Sequence, residues 1–180
     1  MIFLGGSILN LIVTSNEDLK LRHAERKDTE LILWFIKELA KYEDEIDQVT
    51  ATVEVLEKSL FDQNGAEVII AEYEGKPVGF ALFHNNFSTF LGKSGIHLVD
   101  LYVVPLMRGK GIGKTILSYL ANLTVERNFG RLEWWVHDWN SPAIKFYKNL
   151  GAFPLEELKI YRLCGESLNN FSQEYKIMMK

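Results

Sequence analysis

A layered α/β domain is the fold class that the chain predicts, and three observations carry it. Apolar residues switch between strand and helix periods to give the order β-α-α-β-β-β-α-β-α-β. A glycine-rich stretch, RGKGIGKT (Arg108–Thr115), joins a strand to a helix. The 180 residues, 47% hydrophobic and 24% charged, suit one domain with a continuous core.

Each element has its own local signal. LKLRHA (Leu19–Ala24) alternates as a first strand. Asp28 then caps an amphipathic helix, TELILWFIKELAKYE, with Leu31, Trp34, Phe35 and Leu39 on one face. TVEVLEKSLF (Thr52–Phe61) reads as a second helix. EVIIAEYEGKPVGFALFHNNF is a hairpin around Gly75, and GIHLVDLYVVP (Gly95–Pro105) is a β-rich run ended by proline. After the glycine loop comes the helix KTILSYLANLTVERNFG, with Ile116, Leu117, Leu120 and Leu123 on one face. RLEWWVHDW predicts another strand. SPAIKFYKNLG has Asn140 or Ser141 as cap, Pro142 in its first turn and Gly151 at its stop. IYRLCG predicts a late strand.

A net charge of −4 argues against nucleic acid as partner and favours a cationic ligand. The single cysteine, Cys164, forms no internal disulfide, fits a reducing cytosol and reads as a small strand hydrophobe. MIFLGGSILNLIVTSN has an apolar run with no preceding Lys or Arg, no A-x-A site and too little length to span a bilayer. Residues 1–18 are therefore expected to be an extension that packs on, or pairs with, a domain of residues 19–180. His23, His84, His97 and His137 show no ligand spacing, so no metal is expected. EWWVHDW has no basic stripe and suits strand core better than base stacking.

The glycine loop nearly matches two phosphate motifs. Walker A requires glycine five residues before Gly113, where Arg108 stands. The dinucleotide fingerprint requires G-x-G-x-x-G, whereas Gly109, Gly111 and Gly113 are spaced G-x-G-x-G. The acid wanted about 20 residues on, past a strand, is absent, since Glu126 lies inside the next helix. Two readings remain at this point: a plain tight turn, or N–H groups at a helix start that hold a diphosphate, flanked by Arg108 and Lys114.

A second cluster adds to the first. RGKGIG resembles the Q/R-x-x-G-x-G/A acyl-CoA loop of the GNAT-type N-acetyltransferases. NSPAIKFYKNLGA resembles their N-x-x-A-x-x-F-Y-x-x-x-G-A/F helix, one helix and one strand later. The resemblance spans about Leu19 to Leu163. It implies a single-domain GNAT-like fold, a mixed and mostly antiparallel sheet flanked by helices. IKELAKYEDEIDQVTAT, VGFALFHNNFSTFLGKSGIHLVDLYVVPLMRGKGIG and WNSPAIKFYKNLGA look most like the spermidine/spermine branch, which includes enzymes of thialysine and other small amines.

That resemblance implies a set of roles. The diphosphate of acetyl-CoA would rest on Arg108, Gly109, Lys110, Gly111, Ile112, Gly113 and Lys114. The pantetheine arm would pair along Leu101, Tyr102 and Val103, where the family's sheet splays at a bulge, and would meet Asn140 and Ala143. A main-chain N–H near Tyr102 or Val103 would hold the acetyl oxygen. Tyr147 stands where the family has its general acid; a phenol can supply a late hydrogen bond to the departing thiolate. From the residues alone, Phe146 and Tyr147 read first as core aromatics of an amphipathic helix, and the resemblance reverses that reading. The polyamine enzymes carry a Glu-Asp pair before the loop. Here it reads Val99-Asp100, so Asp100 is the candidate base, although strand alternation would turn it away from that glutamate's place.

Tyr42 and Glu43 match substrate contacts of the same branch, within an acidic run, KYEDEIDQ, that otherwise reads as a solvated helix end. Lys159 replaces a second acidic contact and Tyr161 a tryptophan, which favours a small amine, diamine or lysine-like acceptor over spermine. The sequence thus predicts a cytoplasmic acetyl-CoA-dependent N-acetyltransferase working by direct attack in a ternary complex, as a homodimer by resemblance. A peptide or protein N-acetyltransferase, or a non-catalytic acyl-CoA-binding module, are the alternatives.

Overall fold

The computed structural model describes residues 11, 12, 14 and 16–178, and the chain divides into two compact units, one up to Trp135 and one from Val136. The first unit holds a single six-stranded sheet in sequence order: β1 (Leu11–Ile12), β2 (Leu19–His23), β3 (Glu67–Tyr73), β4 (Lys76–Ser88), β5 (Lys93–Val103) and β6 (Leu132–Trp134). The first four pairings are antiparallel and β5–β6 is parallel. This is the mixed, mostly antiparallel sheet that the sequence predicts. Within the predicted extension, Leu11 and Ile12 pair with Arg22 and Leu21; residues 1–10, 13 and 15 lie outside the described ones.

Helix α1 (Thr29–Tyr42) lies on one sheet face because its apolar stripe has helical spacing. Phe35, fully buried, stacks on Phe80 at 5.1 Å and tilts against Tyr102 at 6.2 Å. Ile32, Leu60 and Val68 complete that cluster. Asp28 precedes the helix but does not cap it. Its carboxylate accepts from the Arg22 guanidinium at 2.7 and 2.9 Å and from the Glu25 N–H at 2.8 Å, because a charged donor outcompetes a helix amide. The second predicted helix is α2 (Val53–Glu57), capped by Thr52, and it widens into a π turn over Lys58–Asp62. Helix α3 (Ile112–Glu126) buries Ile116, Leu117 and Leu120.

The β4–β5 ladder contains one irregularity. Leu82 pairs with Asp100 and Phe83 with Leu98, so Val99 is an extra residue on β5. The bulge expected along Leu101–Val103 thus sits one position before Asp100.

In the second unit, α4 (Ser141–Asn149) begins at the predicted Asn140 cap, whose side chain accepts from the Ala143 N–H at 3.3 Å. Two expectations are corrected. RLEWWVHDW is a strand over only three residues, since the chain turns at His137, whose carbonyl accepts from the Asn140 N–H at 2.9 Å. IYRLCG is not a strand, and Cys164 is exposed. Gly165 follows at φ +55, and α5 (Gly165–Met178) takes over, with Leu168, Phe171 and Tyr175 at helical spacing.

Phe35→Ala should lower unfolding free energy by about 3–5 kcal/mol in urea titration, because it opens a cavity between Phe80 and Tyr102.

Candidate active site

The site is built on the end of β5. The antiparallel ladder with β4 runs to Val103, whereas the parallel ladder with β6 stops at Leu98. Among the described residues, no strand flanks Leu101, Tyr102 and Val103 on the side away from β4. Such an open edge presents main-chain donors and acceptors to an extended ligand.

Beyond Pro105 the chain makes a single 3-10 turn and enters the glycine loop. Gly109 at φ +77 and Gly111 at φ +83 occupy left-handed conformations that a side chain would strain, and Gly111 is the residue before α3. The first helical hydrogen bond runs from Thr115 N–H to the Gly111 carbonyl at 2.9 Å. The N–H groups of Ile112, Gly113 and Lys114 therefore precede the ladder and sit at the positive end of the helix dipole. A positive helix end after a turn that favours glycine, beside an open strand edge, fits a ligand that has a diphosphate and an amide-bearing arm.

Carboxylates gather near the same strand end. Beyond the bulge Asp100 pairs with Leu82 and shares a face with Phe80 and Tyr102, the face covered by α1. Val99 is 49% exposed instead. Burial, and then the charge of Glu43, push the Asp100 carboxyl up to about 6. Glu43 ends α1, donating its N–H to the Leu39 carbonyl at 3.0 Å, and adjoins Tyr42. The negative end of the α1 dipole and the two carboxylates all favour a cation there. One is present. The Arg108 guanidinium lies 4.7 Å from the Tyr42 ring centre and 5.6 Å from that of Tyr102, and its Nε–H donates to the Val103 carbonyl at 3.0 Å.

The structure thus brings together Tyr42, Glu43, Asp100, Tyr102 and Arg108. In the second unit, Asn140, Ala143 and Tyr147 recur at helical spacing, so they share one face at the start of α4. Tyr147 is half-buried, its ring 5.4 Å from that of Phe146. Two features escaped the sequence reading. One is the fold-back of Arg108. The other is His97, buried between His84 at 5.3 Å and Trp135 at 4.6 Å, on the Asp100 face of the sheet. Burial, then the His84 charge, lower the His97 pKa. Counting outward from the Ser88–Lys93 turn would have paired these histidines.

An acetyltransferase (GNAT) family model matches residues 25–152. The chain belongs to this family. As a GNAT protein it is an acetyl-CoA-dependent N-acetyltransferase. It is 34% identical over 164 residues to the thialysine N-epsilon-acetyltransferase of Sus scrofa, covering 84% of this chain and 96% of that one. Over 90 residues it is 41% identical to an L-ornithine N5-acetyltransferase of Arabidopsis thaliana, covering 50% of this chain and 40% of that one. Among solved structures, an integron cassette protein from the mobile metagenome of V. cholerae superposes with a TM-score of 0.73 at 28% identity, covering 88% of this GNAT chain and 99% of the other.

Asp100→Asn should stabilise the fold at pH 7.5. The Asp100 pKa is raised by folding, so its favourable contribution is complete below about 4 and disappears as pH rises through about 6. The melting gain of the variant should grow across that window, up to about 3 kcal/mol, and vanish at pH 4. A difference that ignores pH would contradict the burial.

Proposed function

We propose that this GNAT enzyme moves the acetyl group of acetyl-CoA to the primary amine of a small cationic acceptor, lysine-like or a diamine, by direct attack in a ternary complex. The observation that carries the reading is the half-buried Asp100 carboxyl, under the charge of Glu43, on the Tyr102 face of the sheet. An alkylammonium must lose a proton before it attacks, and a carboxyl titrating near 6 is a better acceptor near neutrality than an ordinary aspartate. Tyr42 and Glu43 would receive the acceptor's cationic end. The relatives named for thialysine and L-ornithine support a lysine-like acceptor.

On the acetyl-CoA side, Gly109, Lys110, Gly111, Ile112, Gly113, Lys114 and Arg108 would hold the diphosphate. Leu101, Tyr102 and Val103 would pair with the pantetheine arm, with Asn140 and Ala143 against it. Tyr147 would then give the leaving sulfur its proton. We also infer a homodimer, supported by the exposed apolar run Phe153, Leu155, Leu158, Ile160, Tyr161 and Leu163. A domain of residues 19–180 and cytoplasmic residence, consistent with a lone cysteine, complete the reading.

Thiol release from acetyl-CoA should occur with thialysine, lysine, ornithine or putrescine and be weaker with spermine; silence on all of them sinks the proposal. Tyr147→Phe should lower kcat by 10-fold or more, and full activity in that variant removes Tyr147 from the mechanism. Wild-type kcat/KM should rise with pH through about 6. Asp100→Asn should lose that limb and at least 10-fold in rate.

A further inference from the structure

The loop cation Arg108 sits where two ligands are wanted. Its Nε–H uses the carbonyl of Val103, one of the main-chain groups on the strand edge proposed for the pantetheine arm. Its guanidinium covers the faces of Tyr42 and Tyr102, the aromatic pair nearest the proposed acceptor site. Neighbouring charges favour a cation at this spot. The α1 C-terminus points there, Glu43 ends that helix, and Glu38 acts on the Tyr102 phenol from the same element, itself bridged to Lys41 at 2.6 Å.

What holds Arg108 is a hydrogen bond to a neutral carbonyl, a second to the neutral Tyr102 phenol and two cation–π contacts, all on an exposed side chain. A diphosphate on the N–H groups of Ile112–Lys114 would lie a few residues away along the loop. It would offer Arg108 charge-assisted, bidentate bonds, which are stronger than those to a neutral carbonyl. The side chain has two competing partners, and it leaves the tyrosines when it chooses the second.

We propose that Arg108 makes amine binding conditional on acyl-CoA: its guanidinium fills the Tyr42–Tyr102 cation site until a diphosphate draws it away. This rests on the acetyl-CoA and cationic-amine reading above. The cosubstrate then binds first. Its arrival vacates the aromatic pair for an alkylammonium and frees the Val103 carbonyl for the arm in the same movement. Arg108 acts here as a positioning residue, since it touches the reacting atoms at no point.

The test is calorimetric binding of thialysine to wild type and to Arg108→Met, each with and without saturating coenzyme A, which cannot turn over. Wild type should bind thialysine at least 10-fold more tightly when coenzyme A is present. The variant without coenzyme A should bind it as tightly as loaded wild type. Equal binding by free and loaded wild type, or an unchanged 10-fold dependence in the variant, overturns this proposal alone. Absence of thialysine binding in every form overturns the acceptor reading and this proposal with it. A second readout needs no amine: the Arg108 Nε–H resonance, assigned by its loss in Arg108→Met, should shift on adding coenzyme A. An unmoved resonance at saturation overturns the proposal.

Discussion

One extra residue in β5 organises the site. Val99 bulges out of the ladder with β4, and the side-chain alternation resets across it. Without the bulge, Leu98 and Asp100 would face the same side. With it, Leu98 packs into the core with Phe83, while Asp100 joins Phe80 and Tyr102 beneath α1. The same strand loses its β6 partner just at this point, which leaves the edge of Leu101–Val103 open. A half-buried carboxyl and a strand edge without a neighbour thus meet at one point of β5, the first set by the bulge and the second by the turn that ends β6. The Phe35–Phe80 stack then fixes α1 over that face and sets Tyr42 and Glu43 at its rim.

Electrostatics decide what such a site accepts. Bringing two carboxyls together in a partly dry pocket costs free energy, which appears as the raised Asp100 pKa. A bound cation offsets that cost, and Arg108 shows that the neighbourhood attracts one. The opposite sign prevails a few residues on, where the start of α3 presents N–H groups and a positive dipole end. Opposite electrostatic ends thus lie on one short segment, and the proposed reading uses them to join a diphosphate-bearing donor to a cationic acceptor.

Much of this was legible in the sequence. The β3–β4–β5 meander follows from alternation around the Gly75 turn, and the glycine loop and Asn140 cap stand where their residue types demand. The Val99 bulge was not legible at its true position, because one inserted residue barely disturbs an apolar run. Alternation alone would leave Asp100 on the face of Leu98, whereas the bulge puts the two on opposite faces. Asp28 was assigned to a helix cap because its competitor, Arg22, approaches from a strand and not from adjacent sequence. The late strand failed differently. IYRLCG has strand-forming residues but nothing to pair with among the described residues, while the helical spacing of Leu168, Phe171 and Tyr175 lay unread beside it.

The central claim is that the open edge of β5 and the glycine loop together form the acyl-CoA cradle. Amide hydrogen exchange with and without coenzyme A tests it most directly. The account predicts protection concentrated at Leu101–Val103 and at Gly109–Lys114, with β2 and β3 unchanged. Protection confined to other segments, or none at saturating coenzyme A, would contradict it.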